Sequence, residues 1–507
     1  MICSTRSCAR RTRASAARAR GRSFAIAAVV GALAAPVPVA LAAEPRSSTE
    51  PDVLREPAAI TRVVDGWDER GSIDLNFTLG YEHRWKRATL SRELPASAAP
   101  GGASQPVASF AESTSRLDVR AELGLYRDLG LIVTVPIVLS SSATLGFRGV
   151  PALDGAPGTP LFSLPFGSPN RSGVEYLGLG VDWGILNQGR DAALPSLLIG
   201  AEVRFSVTEP MHACGPAPPA EGDTQPTTSC TYPADINRNG VGGEYPAGAI
   251  PSLEGELPGE SRRAGVSRGT TAFDLHAAIS RRIGAFEPYF ALGVLYELPN
   301  DGSDFAAHGS QRNAPPIEGR ASVGAELMAW ELVEQFQRLS LDMRLTGTYR
   351  SEGVDYSELF DALGSSSAIS YRRPNFAGYV ENPDAASRAL APSVVDVDSR
   401  RVFPTGLTRV EAHGAYALRA AVRWQAGRYV HFDAGGALAL TQRHFITFGQ
   451  PCDASRSVSA AEAGPCAGSG SGAPDPSYRP ETDQPGQRFV VDTATTIDTW
   501  VGATVMF

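Results

Sequence analysis

The sequence predicts an all-β fold, an antiparallel up-and-down β-barrel of about 12 strands that crosses a membrane. Three observations carry this prediction. Period-2 alternation of apolar and polar residues recurs along the chain. The connections between these segments alternate between a few residues and long Gly/Pro/Ser-rich stretches. Aromatic residues on the apolar faces gather near the segment ends.

The leader comes first. Arg6, Arg10, Arg11, Arg13, Arg18, Arg20 and Arg22 form a basic stretch without an acid, and Phe24 to Val39 is a run of small apolar residues. Ala40-Leu41-Ala42 and Leu41-Ala42-Ala43 offer small-residue cleavage sites, so 1–43 reads as a secretory signal peptide. A membrane anchor is the alternative, but Pro36 and Pro38 interrupt a run already short for a spanning helix. Cys3 and Cys8 would leave with it. Without the leader's seven arginines the balance is 39 basic to 54 acidic residues, a net of −15. That argues against nucleic acid as a partner. Residues 44–70 read as a periplasmic lead-in, able to enter the barrel but not required to.

The strands follow. Strand 1 sets Ile73, Leu75, Phe77, Leu79 and Tyr81 against Asp74, Asn76, Thr78, Gly80 and Glu82. Strand 2 sets Leu117, Val119, Ala121, Leu123 and Leu125 against Arg116, Asp118, Arg120 and Glu122. In strand 3, Leu131 to Leu139 supply the apolar face, and Pro136 on the other register removes a ladder donor, so a bulge or frayed pairing is expected there. Strand 4 starts at Tyr176, and strand 5 sets Leu197 to Val207 against Glu202 and Arg204. Strands 6 and 7 hold Asp274, His276 and Glu297 on the polar face; strands 8 and 9 hold Glu326, Asp342 and Arg344. Strands 10 and 11 hold His413, Arg419, Arg423, His431 and Asp433. Strand 12 ends the chain: Ile497, Thr499, Val501, Ala503, Val505 and Phe507 oppose Asp498, Trp500, Gly502, Thr504 and Met506. A count of ten to fourteen is compatible with the pattern.

The long connections fall at about 86–114, 140–172, 209–269, 299–318, 351–407 and 449–487, over residues 71–507. Long irregular loops are uncommon in a compact soluble domain. Outward Tyr81, Phe205, Phe273, Tyr296 and Tyr349 lie toward the long loops, and Trp183, Trp424 and Phe507 toward the turns. A soluble sandwich has no reason to sort aromatics by height. Four cysteines sit as two close pairs inside long loops, which reads as Cys214–Cys230 and Cys452–Cys466 disulfides in an exported chain.

With its closing strand ending in Phe507, the chain resembles Gram-negative outer-membrane β-barrels of the porin-like or small-solute-channel type, over essentially all of 71–507. The resemblance implies residence in the outer membrane, lipid contact and insertion by the barrel-assembly machinery through Val501, Ala503, Val505 and Phe507. It also implies periplasmic turns and termini, extracellular loops and often passive solute passage.

The expected function is a passive channel for small polar solutes, not an enzyme. Its lumen would be lined by Asp74, Glu82, Arg116, Asp118, Arg120, Glu122, Glu202, Arg204, Asp274, His276, Glu326, Asp342, Arg344, His413, Arg419, Arg423, His431, Asp433 and Asp498. The alternative is a non-conducting barrel displaying its stapled loops for interaction or envelope integrity. A less favoured third is an outer-membrane hydrolase, which would need outward Ser and His, whereas His276, His413 and His431 fall on the inner register. No Walker A loop, HExxH or GxSxG is present. No cofactor is expected, except that Asp235, Asn237 and Asn239 before Gly240 resemble the start of a calcium loop. Pro246 stands where that loop needs its bidentate Glu.

Overall fold

Each β-strand exposes alternate side chains on opposite faces, and here twelve strands wrap one set outward and one set inward. The computed structural model describes residues 58–64, 74–94, 103–148, 154–156, 159–217, 227–233, 259–306, 314–366, 368, 371, 405–453, 466, 473–475 and 478–507. The expected signal peptide lies outside them, as do Asp235, Asn237 and Asn239.

The barrel strands are β1 (Leu75–Glu93), β2 (Ser104–Tyr126), β3 (Leu129–Phe147), β4 (Leu177–Leu186), β5 (Ser196–Phe205), β6 (Thr270–Ser280), β7 (Phe286–Pro299), β8 (Glu318–Leu332), β9 (Gln337–Arg350), β10 (His413–Ala426), β11 (Val430–Thr441) and β12 (Phe489–Met506). Each pairs antiparallel with its sequence neighbours, and β1 pairs with β12 to close the ring. At the seam Phe77 faces Val505, Tyr81 faces Val501 and Trp85 faces Ile497. Closure removes every open edge, which is what permits strands to cross lipid.

The outward register is apolar and bare. Leu275 and Met343 are each 59% exposed, and Val501 is 55% exposed. Tyr81, Phe205, Phe273, Tyr296, Tyr349, Trp183, Trp424 and Phe507 are exposed with them. A continuous apolar exterior of this kind needs an apolar surround, and two aromatic zones suit the edges of a bilayer.

The strands run further than the sequence pattern indicated. Ten-residue strands such as β4 and β5 match a tilted bilayer crossing. By contrast β1, β2, β3 and β12 have 19, 23, 19 and 18 residues. The loop expected over 86–114 is therefore mostly hairpin wall, with Lys86 to Glu93 in β1 and Ser104 to Thr114 in β2. Alternation beyond about ten residues no longer follows lipid contact, so the sequence underreads these extensions. Near Pro136 the β3–β4 pairing stops at Thr134, and a register shift between Ser115 and Arg116 marks the β2–β3 ladder opposite.

Inside the extended walls sits a hydrophobic core. Leu90, Val107, Phe110 and Leu145 of the walls pack with Leu161, Phe162 and Phe166 of the β3–β4 connection. Leu359, Leu363 and Tyr371 of the β9–β10 connection and Phe489 of β12 complete it. The long connections thus fold back over the loop end as a cap. A short helix, α1 (Phe360–Gly364), supplies part of it. Both disulfides are formed, Cys214–Cys230 and Cys452–Cys466, each closing one of these connections on itself.

The barrel interior as the candidate functional site

The inward register carries the charges, and most are engaged across strands. Arg84 Nε donates to Asp498 at 2.7 Å, and Arg84 and Arg116 both pair with Glu82. Arg116 also reaches Asp118 at 2.9 Å. Arg120 pairs with Glu122 on its own strand. Arg204 lies 2.8 Å from Asp274 and 3.4 Å from Glu202, while Arg320 shares Asp274. Arg423 bridges Glu326 at 2.9 Å and Asp342 at 3.1 Å. Arg344 Nε donates to the Tyr289 hydroxyl at 3.1 Å and lies 3.6 Å from Asp342.

Two bridges span three strands by passing over a glycine. Asp182 on β4 and His276 on β6 both register with Gly200 on β5. His276 Nε2 lies 3.0 Å from Asp182 Oδ1. A Cβ on Gly200 would come within 2.1 Å of that carboxylate and 2.3 Å of that ring nitrogen. Likewise Tyr289 on β7 passes over Gly324 on β8 and donates to Asp342 on β9. The inner glycines are therefore crossing points, without which these side chains could not meet.

Several interior charges were not anticipated: Arg84, Lys86, Glu175, Glu318, Arg320 and Arg350. Arg84 and Lys86 simply continue the two-residue spacing of β1 past Glu82, so the signal was present. The remaining positions fall into place as follows. Asp74 immediately precedes β1, and its carbonyl accepts from the Gly124 N–H. His431 and Asp433 open β11, with Asp433 registered against Gly502 and Arg423. His413 sits at the loop end of β10, stacked on His444 with centroids 3.8 Å apart.

The turn end is occupied by the lead-in. Ala58 N–H donates to Glu287 Oε1 at 2.8 Å, and the Thr61 hydroxyl lies 2.7 Å from that of Ser280. On the opposite wall Val63 and the Val64 carbonyl lie close against Gly130, with Val63 also beside Gly184. Residues 58–64 thus cross the opening from β6–β7 to β3–β4. Ala58 and Thr61 are buried, at 3% and 4% exposure. Sequence reading left this segment undecided because its hydrogen bonds go to carboxylates and hydroxyls hundreds of residues away.

The cap at the loop end is tied by ion pairs. Arg171 grips Asp361 with two bonds of 2.9 and 2.7 Å and also donates to the His212 carbonyl. Lys86 lies 2.8 Å from Glu358. Beside them His444 is buried, and burial, then the neighbouring His413, brings its pKa down to about 4. The unfolded ring titrates at ~6.5. Its contribution to cap stability is therefore complete above that pH and declines as pH falls toward 4. Asp483 works oppositely: burial pushes its pKa up to about 6, so its contribution is lost as pH rises through that value. Replacing His444 with Asn removes the first effect alone. On acidification from about 6.5 to 4, protection factors of cap amides should then fall less, or rise more, in the variant than in the wild type. Equal slopes in the two proteins would show that His444 has no such role.

No protein-family model matches the chain, and neither does any curated protein. Solved structures of similar architecture include an outer membrane channel from Pseudomonas putida F1, at 10% identity over 85% of this chain and 95% of that one, TM-score 0.35. A FadL homologue from Pseudomonas aeruginosa is 9% identical over 90% of this chain and 93% of that one, TM-score 0.29. The outer membrane protease OmpT from Escherichia coli is 9% identical over 86% and 96%, TM-score 0.24. The even strand number, the short turns at one end and the apolar outer band with two aromatic zones decide the class on their own. The architecture is that of a Gram-negative outer-membrane β-barrel. A channel and a protease both occur among these loose matches, so the function of this barrel is argued from its own residues.

Proposed function

We propose that this barrel is an outer-membrane channel for small polar solutes, held closed at both ends in its resting state. The observation that carries the reading is the belt of charges of both signs on the inward register, between the lead-in at one end and the cap at the other. A barrel whose interior served stability alone would be cheaper to fill with apolar side chains, because ion pairs repay their desolvation only with well-made geometry. Charges facing a wettable passage instead suit solutes that are themselves polar. Twelve strands is wider than an eight-stranded barrel filled by side chains and narrower than an open porin. With an even strand number both chain ends lie at the turn end, which the proposal places in the periplasm, with lipid and the assembly machinery as partners.

The second reading is a non-conducting barrel that displays its stapled loops. It draws on the packed core of the cap and on the two disulfides. Conductance separates the two. Full-length protein reconstituted in planar bilayers should give rare or small steps. A variant lacking residues 45–64 loses the anchors to Glu287 and Ser280 and should give frequent, larger ones. Silence from both proteins would remove the channel reading and leave the display reading.

A further inference from the structure

Most interior guanidiniums have a carboxylate; Arg419 does not. It stands on β10 directly opposite Arg344 of β9 in the ladder. Like charges directly opposed across a strand pair are destabilising. Among the described residues Arg419 makes no hydrogen bond or ion pair. The nearby carboxylates are taken: Asp342 and Glu326 serve Arg423, and Asp342 also faces Arg344. Asp433, the register partner of Arg423, leans over Gly502 of β12 and makes no ion pair with Arg419. Three guanidiniums crowd together here, and Arg419 is the one that no carboxylate engages in an ion pair.

What holds Arg419 is an aromatic face. Its guanidinium lies 3.7 Å from the centre of the Trp500 ring. The indole reaches it across β11 because Gly435, its register partner, leaves room: a Cβ there would come within 2.2 Å of the ring. Stacking on an indole suits a flat guanidinium and leaves its donors uncommitted. Two donors here, Arg419 Nε and Trp500 Nε1, are shielded from solvent and have no acceptor among the described residues. Shielded donors without acceptors are rare in folded proteins and ask for a reason.

We propose that Arg419 and Trp500, with Arg344 facing them, form a binding site for a small organic monoanion that presents a carboxylate. One guanidinium without an ion pair suits one carboxylate. A planar carboxylate takes two parallel N–H bonds from a guanidinium, and this pairing is among the stronger hydrogen-bonded contacts available. A dianion such as phosphate would set a second negative charge beside Asp342 and Asp433, and is disfavoured. The proposal rests on the channel reading for its meaning as a selectivity site, but the site itself is tested by binding alone.

The test uses the full-length protein purified in detergent, titrated with sodium acetate at constant ionic strength in sodium chloride and followed by tryptophan fluorescence. Acetate should give a saturable change. Arg419→Gln should weaken it at least about ten-fold, the loss expected when a charge-assisted bond worth ~1.5–3 kcal/mol is removed. Trp500→Phe should remove most of the fluorescence response. Arg419→Lys keeps the charge but loses the flat fork and should fall between wild type and Gln. Arg148→Gln, at the exposed rim, should match the wild type. If Arg419→Gln does not give a heat-modifiable folded barrel, wild-type titration and Trp500→Phe still decide. No saturable change in the wild type, equal affinity in Arg419→Gln, or equally tight binding of inorganic phosphate would overturn the proposal. Saturable acetate binding in a protein that never conducts would uphold the site while removing the channel.

Discussion

Replacing Asp361 with Ala should release the cap from the loop end while leaving the barrel closed. Arg171 and Asp361 are 8% and 7% exposed and joined by two bonds. They tie three connections at one point, since Asp361 also accepts the Cys214 N–H at 3.0 Å and Arg171 also donates to the His212 carbonyl at 2.9 Å. Removing the carboxylate strands a buried guanidinium, at a cost of ~3–5 kcal/mol. Hydrogen exchange should therefore accelerate across 161–174, 205–217 and 355–366, with little change in β4, β5 and the lower half of β9. The double variant Arg171→Met with Asp361→Ala should lose less protection than Asp361→Ala alone, because no buried charge is left unpaired. Unchanged exchange in Asp361→Ala would mean that the apolar core alone holds the cap.

Deleting Phe507, or inserting one alanine after Thr499, should prevent stable closure of the barrel. Phe507 exchanges two backbone hydrogen bonds with Leu75, at 2.9 and 3.3 Å, at the foot of the seam. Its ring is 69% exposed, at the turn-end aromatic zone. The insertion acts differently. β12 pairs with β1 on one side and β11 on the other through the same residues. A one-residue slip turns its faces over. Either Asp498 and Trp500 meet lipid, or Val501, Ala503 and Val505 turn into the charged interior. Folded, heat-modifiable protein in the outer-membrane fraction should fall to a small fraction of wild type in both variants. Wild-type levels of both would refute the closing role of this strand. The insertion is the stronger test, since it leaves Phe507 in place.

The barrel was legible in the sequence because its cause is local. Lipid on one side and polar groups on the other impose a two-residue period that any ten-residue window displays. Strand 2 shows it plainly: Arg116, Asp118, Arg120 and Glu122 alternate with Leu117, Val119, Ala121 and Leu123. The same logic picked out twelve strands and the pairing of the last strand with the first, and cysteine spacing picked out the two disulfides. Where strands extend beyond the bilayer, as β1 does from Arg87 to Glu93, the outer face loses its lipid partner and the signal fades.

The sequence by itself thus determined the class of wall and its two-residue alternation. Only the tertiary structure decided what stands inside it. Residues 58–64 cross the turn end because Glu287, Ser280, Gly130 and Gly184 converge there from four strands far apart in the chain. The cap forms because Leu161, Leu359 and Phe489 meet between the extended walls. Among the described residues Arg419 has no ion pair because Asp433 leans over Gly502 and Asp342 is already engaged. Alternation is a property of neighbours in sequence and can be read along the chain. Which inward side chains meet across a glycine or a closed ring depends on register between distant strands, and that is settled only when the last strand pairs with the first.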